Sequence, residues 1–394
     1  MNKAHFKYLL ILLFYFLTNK GFSSHVPGGN ITYECLGNNR YVITLNLFEN
    51  CGTAFIKNEP TYISIADNCS LSASDRTLPI ISFQEEVSQI CPSLISQSTC
   101  NGGIYEGYYK HIYQDTITLS DTCNWNLSYH DCCRNASNNL QGSGNDFYFE
   151  TTINSNAACN SSPVINALPV PTFCVNQPAT FNLNTYEPDG DSLIFSFYHP
   201  RTSDNSNYAP FNAGYSANQP IPGIQIDSQT GQIEFTPNQA GKFDLAILIE
   251  EYNGSFLVGS MVYDFQILIV NNAGCTNTAP IAQIPLLNNI QGESIADSNS
   301  LTLCMGESVC FDVEFLDQTG DSLFINSNIS DYFSGATLTQ TSFLSPATAT
   351  ICFSANPGSN PVANISVTAE DNGCPTVGKT FEIITINTIL NTYA

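Results

Sequence analysis

Positive charge is the scarcest commodity in this sequence. Of 394 residues, 11 are Lys or Arg against 34 Asp or Glu, a formal charge of -23. That shortage excludes a nucleic-acid-binding face, which needs clustered basic side chains. It makes an anionic membrane surface an equally poor partner. Charge of either sign is sparse, at 11% of residues against roughly 25% in an average soluble domain. Asn, Ser and Thr fill the polar positions instead, and they favour turns and caps over helix interiors. Helical bundles and coiled coils are excluded with them. There are five His, scattered, and no CxxC or HExxH spacing, so no zinc site is expected. No apolar run of the ~20 residues that cross a bilayer occurs.

Other features are abundant. Hydrophobic residues make up 43% of the chain, enough to bury real cores. The 15 cysteines all lie at or after Cys35. Outside any metal pattern, that density points to disulfides in an oxidising compartment. The N-terminus supplies the route: Lys3 and Lys7 precede the apolar run Tyr8 to Leu17, and Gly21, Ser23 and Ser24 follow. This is the order of a secretory signal peptide spanning 1–24. Its removal takes away Lys3, Lys7 and Lys20 and leaves eight basic residues against 34 acidic ones, or -26.

Period-2 patterning dominates the rest. Tyr41, Ile43, Leu45 and Leu47 share one face of a strand, and Phe243, Leu245, Ile247 and Ile249 share another. Turn signals such as Asp189-Gly190 and Asn253-Gly254 separate such runs. Many short strands with regular turns predict an all-β fold of three tandem β-sandwich domains. Two Pro-, Ser- and Asn-rich segments, Asn160 to Pro171 and Asn271 to Pro285, divide the chain into 25–160, 161–275 and 276–394. The second and third parts repeat one another. CVNQPATFNLNTYEPDGDSLIF from Cys174 aligns without a gap with CMGESVCFDVEFLDQTGDSLFI from Cys304, and EEYNG from Glu250 matches AEDNG from Ala369. Two copies of one sandwich module are expected.

The sharpest local chemistry is an acid cluster. Glu187, Asp189 and Asp191 alternate around Gly190, and Glu250 and Glu251 could approach from a later strand. Oxygen-only ligands suit Ca²⁺, and a solvated Asp-Gly turn is the competing reading. The third part keeps Asp317, Asp321, Glu370 and Asp371 but has Thr319 in the central place, so a site there should be weaker or absent. No other cofactor is expected. Among the cysteines, Cys310 and Cys352 are expected to staple two sheets. Cys304 with Cys374, and Cys174 with Cys275, are expected to clasp the ends of their modules, and Cys91 with Cys100 to close a short loop. The first part holds nine cysteines, so one must be free or paired outside it. The one local thiol candidate for catalysis is Cys132–Cys133 beside His130 and Arg134.

Two resemblances extend this reading. EPDGDSLIFSF (Glu187 to Phe197) and GIQIDSQTGQIEFTPNQAGKFDLAILIEEYNG (Gly223 to Gly254) resemble the cadherin-like, immunoglobulin-like modules of bacterial surface proteins. HVPGGNITYECLGNNRYVITLNLFENCG (His25 to Gly52) and YYKHIYQDTITLSDTCNWNLSYHDCCRNAS (Tyr108 to Ser137) resemble the N-terminal region of large gliding-motility-associated, type IX-secreted surface proteins of Bacteroidota. Phe48-Glu49-Asn50-Cys51 departs from that family's aromatic-Arg-Asp-Cys ending. The resemblances imply a secreted or cell-surface, non-enzymatic structural or adhesion protein whose partner is a surface polysaccharide or protein. No catalytic residues carry over. The family's long members end in a sorting domain, and none is recognisable before Ala394. Export is therefore expected to the cell surface or extracellular space, with the periplasm as the alternative. A lectin-like carbohydrate-binding protein and a truncated remnant of a longer surface protein are the competing functions.

Overall fold

The computed structural model describes residues 26–52, 56–119, 123–142, 146–155, 159–167, 169–271, 273–356 and 361–390. The signal peptide expected over 1–24 lies outside the described residues. The fold is all-β. Arg40–Asn50 is a strand, and its alternating Tyr41, Ile43, Leu45 and Leu47 are buried as the pattern predicts. It forms a hairpin with Gly28–Gly37 across Asn38-Asn39, both at positive φ (54° and 57°). Two left-handed residues give the turn the twist that matches its strands, and Asn tolerates that conformation.

The third part is a two-sheet sandwich. One sheet contains Ile281–Ala282, Asn288–Gln291, Ser308–Leu316, Ala347–Ser354 and Thr337–Gln340. The other runs Ile295–Ala296, Ser300–Cys304, Lys379–Ile389, Val362–Asp371 and Leu323–Ser327. Alternate residues of both sheets, among them Phe311, Val313, Ile351, Ile365 and Ile384, fill one apolar core. The second part repeats this plan. Thr172–Cys174, Phe256–Val270, Gly241–Asn253 and Ser192–Tyr198 stand in the same order as Ser300–Cys304, Lys379–Ile389, Val362–Asp371 and Leu323–Ser327. The first pair of each series is parallel and the others antiparallel. Opposite them in the second part lies a small sheet of Ala179–Phe181, Ile233–Phe235 and Gln225–Ile226. The strand pairing sets the repeat one residue away from the match of letters at its end. Leu193 pairs with Glu251 and Leu323 with Asp371, so Glu251 and Asp371 are equivalent.

The joints between the parts are tight. Residue 160 lies outside the strands, yet hydrogen bonding crosses from the first part to the second. The 15-residue strand Phe256–Val270 pairs with Phe147–Asn154 through Gly259 to Met261 and with Gly28–Gly37 at Asp264. It thereby sits inside the sheet of the first part, in a continuous 12-stranded sheet. Glycine makes that approach feasible. A Cβ on Gly28 would lie 2.0 Å from the Asp264 carbonyl oxygen. The second joint is closed by Phe381. It belongs to the strand Lys379–Ile389, but its ring lies in the core of the second part, edge-on to Phe181 at 5.7 Å between centroids. Phe381→Leu is expected to cost about 1–2 kcal/mol, read as a lower urea midpoint, and to split one unfolding transition into two.

Seven disulfides cross-link the described residues, and they sort the expectations. Cys174–Cys275 forms as expected. Cys310–Cys352 forms too, but Cys310 and Cys352 are direct neighbours on adjacent strands, so the bond lies within one sheet rather than between two. Cys304–Cys374 does not form. Cys304 lies beside Ile389, at the end of Lys379–Ile389, whereas Cys374 precedes that strand's start. An 11-residue strand separates its ends by roughly 33 Å. Cys304 is unpaired and half-buried. Cys91–Cys100 does not form either. Cys100 joins Cys51, and the buried Cys91 joins Cys374, 283 residues away. This is the odd cysteine of the first part, paired outside it. Cys35–Cys159, Cys69–Cys123 and Cys132–Cys133 complete the set, and the last removes the candidate thiol nucleophile. Around Cys91 the Gln89 amide donates to Val377 O at 2.8 Å, and Cys91 N–H donates to Pro375 O at 3.0 Å. The first and third parts are therefore covalently and directly joined, and the three parts fold back on one another rather than forming an open string.

Candidate functional site

The acid cluster forms where the first part meets the second. The residues after Thr185–Tyr186 turn at Pro188-Asp189-Gly190, with Gly190 at φ 85°. Glu187 organises that turn: its carboxylate accepts the backbone N–H groups of Asp189 at 3.1 Å and Asp191 at 2.6 Å. Glu251 comes from Gly241–Asn253, and its partner Leu193 on the next strand brings it beside the turn. Carboxylate oxygens of Glu187, Asp189 and Glu251 all lie within 4.8 Å of one another. Glu187 and Glu251 are 3% and 1% exposed.

Residues at the boundary of the first and second parts, with Tyr33 of the first, complete the site. The Asn160 amide donates to Glu251 Oε2 at 2.9 Å and to the Tyr33 hydroxyl at 3.2 Å, and Ser161 N–H donates to Asp189 Oδ2 at 2.6 Å. The Cys35–Cys159 disulfide holds Asn160 in place from the adjoining residue. Gly259 leaves room, since a Cβ there would meet Tyr33 Oη at 2.5 Å and Glu251 Oε2 at 2.6 Å. Glu251 Oε1 is buried and accepts no hydrogen bond. Burial, and then the adjacent Glu187, push the Glu251 carboxyl far up, and burial raises Glu187 as well. Two buried carboxyls this close are a poor arrangement for two free negative charges and a good one for a hard cation.

Not every expected residue joins. Asp191 accepts the Asn253 amide at 2.7 Å and stands outside the three-carboxylate group. Glu250 precedes Glu251 on a strand, so it projects from the other face, where Tyr252 Oη donates to it at 3.4 Å. Asn160 and Tyr33 were not foreseen. A signal existed for Asn160: Asn160-Ser-Ser-Pro163 at the boundary of the first and second parts parallels Asn277-Thr-Ala-Pro280 at the boundary of the second and third.

The third part carries the equivalent arrangement in reduced form. Asp317 Oδ1 accepts from the N–H groups of Thr319, Gly320 and Asp321, and the Asn277 amide donates to Asp371 Oδ1 at 2.8 Å. Asp317 Oδ2 and Asp371 Oδ2 are buried without partners. Burial lifts the Asp371 carboxyl to about 6. Thr319 stands in for Asp189, its hydroxyl 2.8 Å from Asp317 and 2.6 Å from Asp321. Glu370 is taken by Lys379 at 3.2 Å.

Seven disulfides assign the folded chain to an oxidising, extracellular or periplasmic compartment. No helix among the described residues is long and apolar enough to cross a membrane. No family model matches the chain. An integrin beta-like protein of Dictyostelium discoideum is 28% identical over 159 residues, 38% of this chain and 7% of that protein. The chain thus spans a small fraction of that relative's length. Among solved structures, the Ig1-2 module of the Drosophila receptor protein tyrosine phosphatase DLAR matches with a TM-score of 0.23 and 12% identity, covering 58% of this chain and 99% of that one. An endo-fucoidan hydrolase of glycoside hydrolase family 107 matches with a TM-score of 0.19 and 14% identity, covering 72% of this chain and 36% of that one. The all-β sandwich class rests on the strands described above.

Proposed function

We propose that this chain is a non-enzymatic structural or adhesion protein of the gliding-motility-associated surface type, exported by its leader and stiffened by Ca²⁺. The partner is a surface polysaccharide or protein. The ion is held by Glu187, Asp189 and Glu251. One observation carries this assignment: Glu251 Oε1 is a buried carboxyl oxygen that accepts no hydrogen bond, in a group of three carboxyls at a joint between two parts of the chain. The sequence resemblance of the first part and the covalent closure of the three parts support a rigid surface element over a flexible spacer.

Melting curves in EDTA and in Ca²⁺ test the ion. At Ca²⁺ about 100-fold above Kd, the folded state gains about 2.7 kcal/mol, so Tm should rise by several degrees. Glu251→Gln mimics the protonated acid. It should leave the EDTA melting curve unchanged or slightly higher and remove the response to Ca²⁺. Equal Ca²⁺ responses in the two proteins, or none in the wild type, would remove the site. For the partner, binding to arrays of surface polysaccharides and to cell-surface protein is expected. A hydrolytic activity without binding would overturn the adhesive reading.

A further inference from the structure

A groove of about 840 Å³ runs between the second and third parts, away from the acid cluster. Ligand sites span about 300–1,000 Å³. Its walls mix apolar and polar side chains: Pro178 and Phe235 on one side and Pro280, Ile281 and Ile284 on the other are apolar, and Gln and Thr side chains lie between them. Ile284 is 72% exposed. Two carboxylates interrupt these walls, Glu234 from Ile233–Phe235 and Glu382 from Lys379–Ile389. They come from different parts of the chain and act on one another. Burial, and then the Glu234 charge, push the Glu382 carboxyl up to about 7.

No ion pair reaches either acid among the described residues. The neighbours of Glu234 on its own sheet are the neutral Thr180 and Gln225, and Lys379 is committed to Glu370. Two carboxyl groups are thus held in one groove in a chain with few cations of its own to offer. The channel also has strand edges along it. Gln225–Ile226 is the outer strand of the small sheet, and Ile281–Ala282 is an outer strand of the facing one. Outer strands present unpaired backbone groups that an extended peptide can meet.

We infer that this groove is a docking site for an extended polypeptide segment carrying an arginine or lysine between apolar residues. The basic side chain lies between Glu234 and Glu382 and its neighbours lie on the proline and isoleucine walls. The site is independent of the Ca²⁺ assignment and shares no residue with it.

The test uses the full exported chain and blocked pentapeptides acetyl-Val-Pro-X-Val-Pro-amide, with X as Arg, Lys, citrulline or Glu, followed by calorimetry and by the Ile281 and Ile284 methyl signals. The Arg and Lys peptides should bind at least about tenfold more tightly than the neutral citrulline isostere and shift both methyl signals. Glu234→Gln with Glu382→Gln should abolish that preference while Tm holds or rises, because a repulsion is removed. Citrulline binding as well as Arg, a preference that survives the double substitution, or no saturable binding by any basic peptide would each overturn the proposal. So would spermidine displacing the peptides at equal concentration, which would mark a site for small cations instead.

Discussion

Arg134→Leu should lower the stability of this protein by about 3–5 kcal/mol, the cost of stranding buried charges. Arg134 is 2% exposed. Its guanidinium donates two bonds to Asp264, at 2.5 and 2.9 Å, and lies 3.8 Å from Asp244. A third bond reaches the Arg201 carbonyl at 3.1 Å. Asp264 and Asp244 are both fully buried, and each is raised by burial against the opposing pull of Arg134, Asp244 to about 6. Removing the cation leaves two carboxylates with no counter-charge inside a sheet joint. Adding Asp264→Asn should recover part of the loss, and a double-mutant cycle in urea would measure it. The pH dependence has a definite sign. A carboxyl whose folded-state value is raised contributes stability that is present below its unfolded value near 4 and lost as pH rises through the folded value. The wild type should therefore lose stability through Asp244 between about pH 4 and 6. In Arg134→Leu, that loss should be steeper and extend to higher pH. A loss under about 1 kcal/mol, or a flat pH profile in the variant, would mean the joint is wet rather than buried.

Breaking Cys91–Cys374 should have the second large effect, and it should be visible as a change of shape. The bond closes a loop of 283 residues in sequence separation. Chain entropy alone would credit a loop that long with about 6 kcal/mol. The disulfides enclosed within it already shorten the loop, so the expected loss for Cys91→Ser with Cys374→Ser is about 2–4 kcal/mol. Small-angle scattering should show a larger maximum dimension as the first and third parts separate. A non-reducing peptide map of the wild type should join the Cys91 and Cys374 peptides. Unchanged scattering would place the closure on the Gln89–Val377 contacts and on Phe381 instead.

The sequence carried the local features well. The strand Arg40–Asn50, the long strand Gly241–Asn253, the internal repeat and the Cys174–Cys275 pair all follow from side-chain alternation or from spacing within one module. The acid cluster was legible in part. Alternation put Glu187 and Asp189 together, but neither alternation nor the match of EEYNG to AEDNG could tell which of Glu250 and Glu251 turns inward. That choice depends on the pairing of Glu251 with Leu193. The two cysteine errors have one origin. Cys91, Cys304 and Cys374 were judged by nearness in sequence or in module, and sequence distance does not report which loop end meets which.

The sequence by itself determined three things about this protein. They are an all-β chain, a repeated sandwich module in its second and third parts, and a composition suited to an oxidising compartment and ill suited to nucleic acid. These rest on properties each residue carries locally: period, turn preference, charge and the capacity to cross-link. The tertiary structure decided how the parts meet. It inserted Phe256–Val270 between strands of the first part, where Gly28 leaves room for its backbone, and placed Arg134 against Asp264 on that strand. It lodged Phe381 in a neighbouring core and tied Cys91 to Cys374. Each of these contacts joins residues more than a hundred positions apart. Their free energy comes from burial at a surface that exists only after both partners have folded.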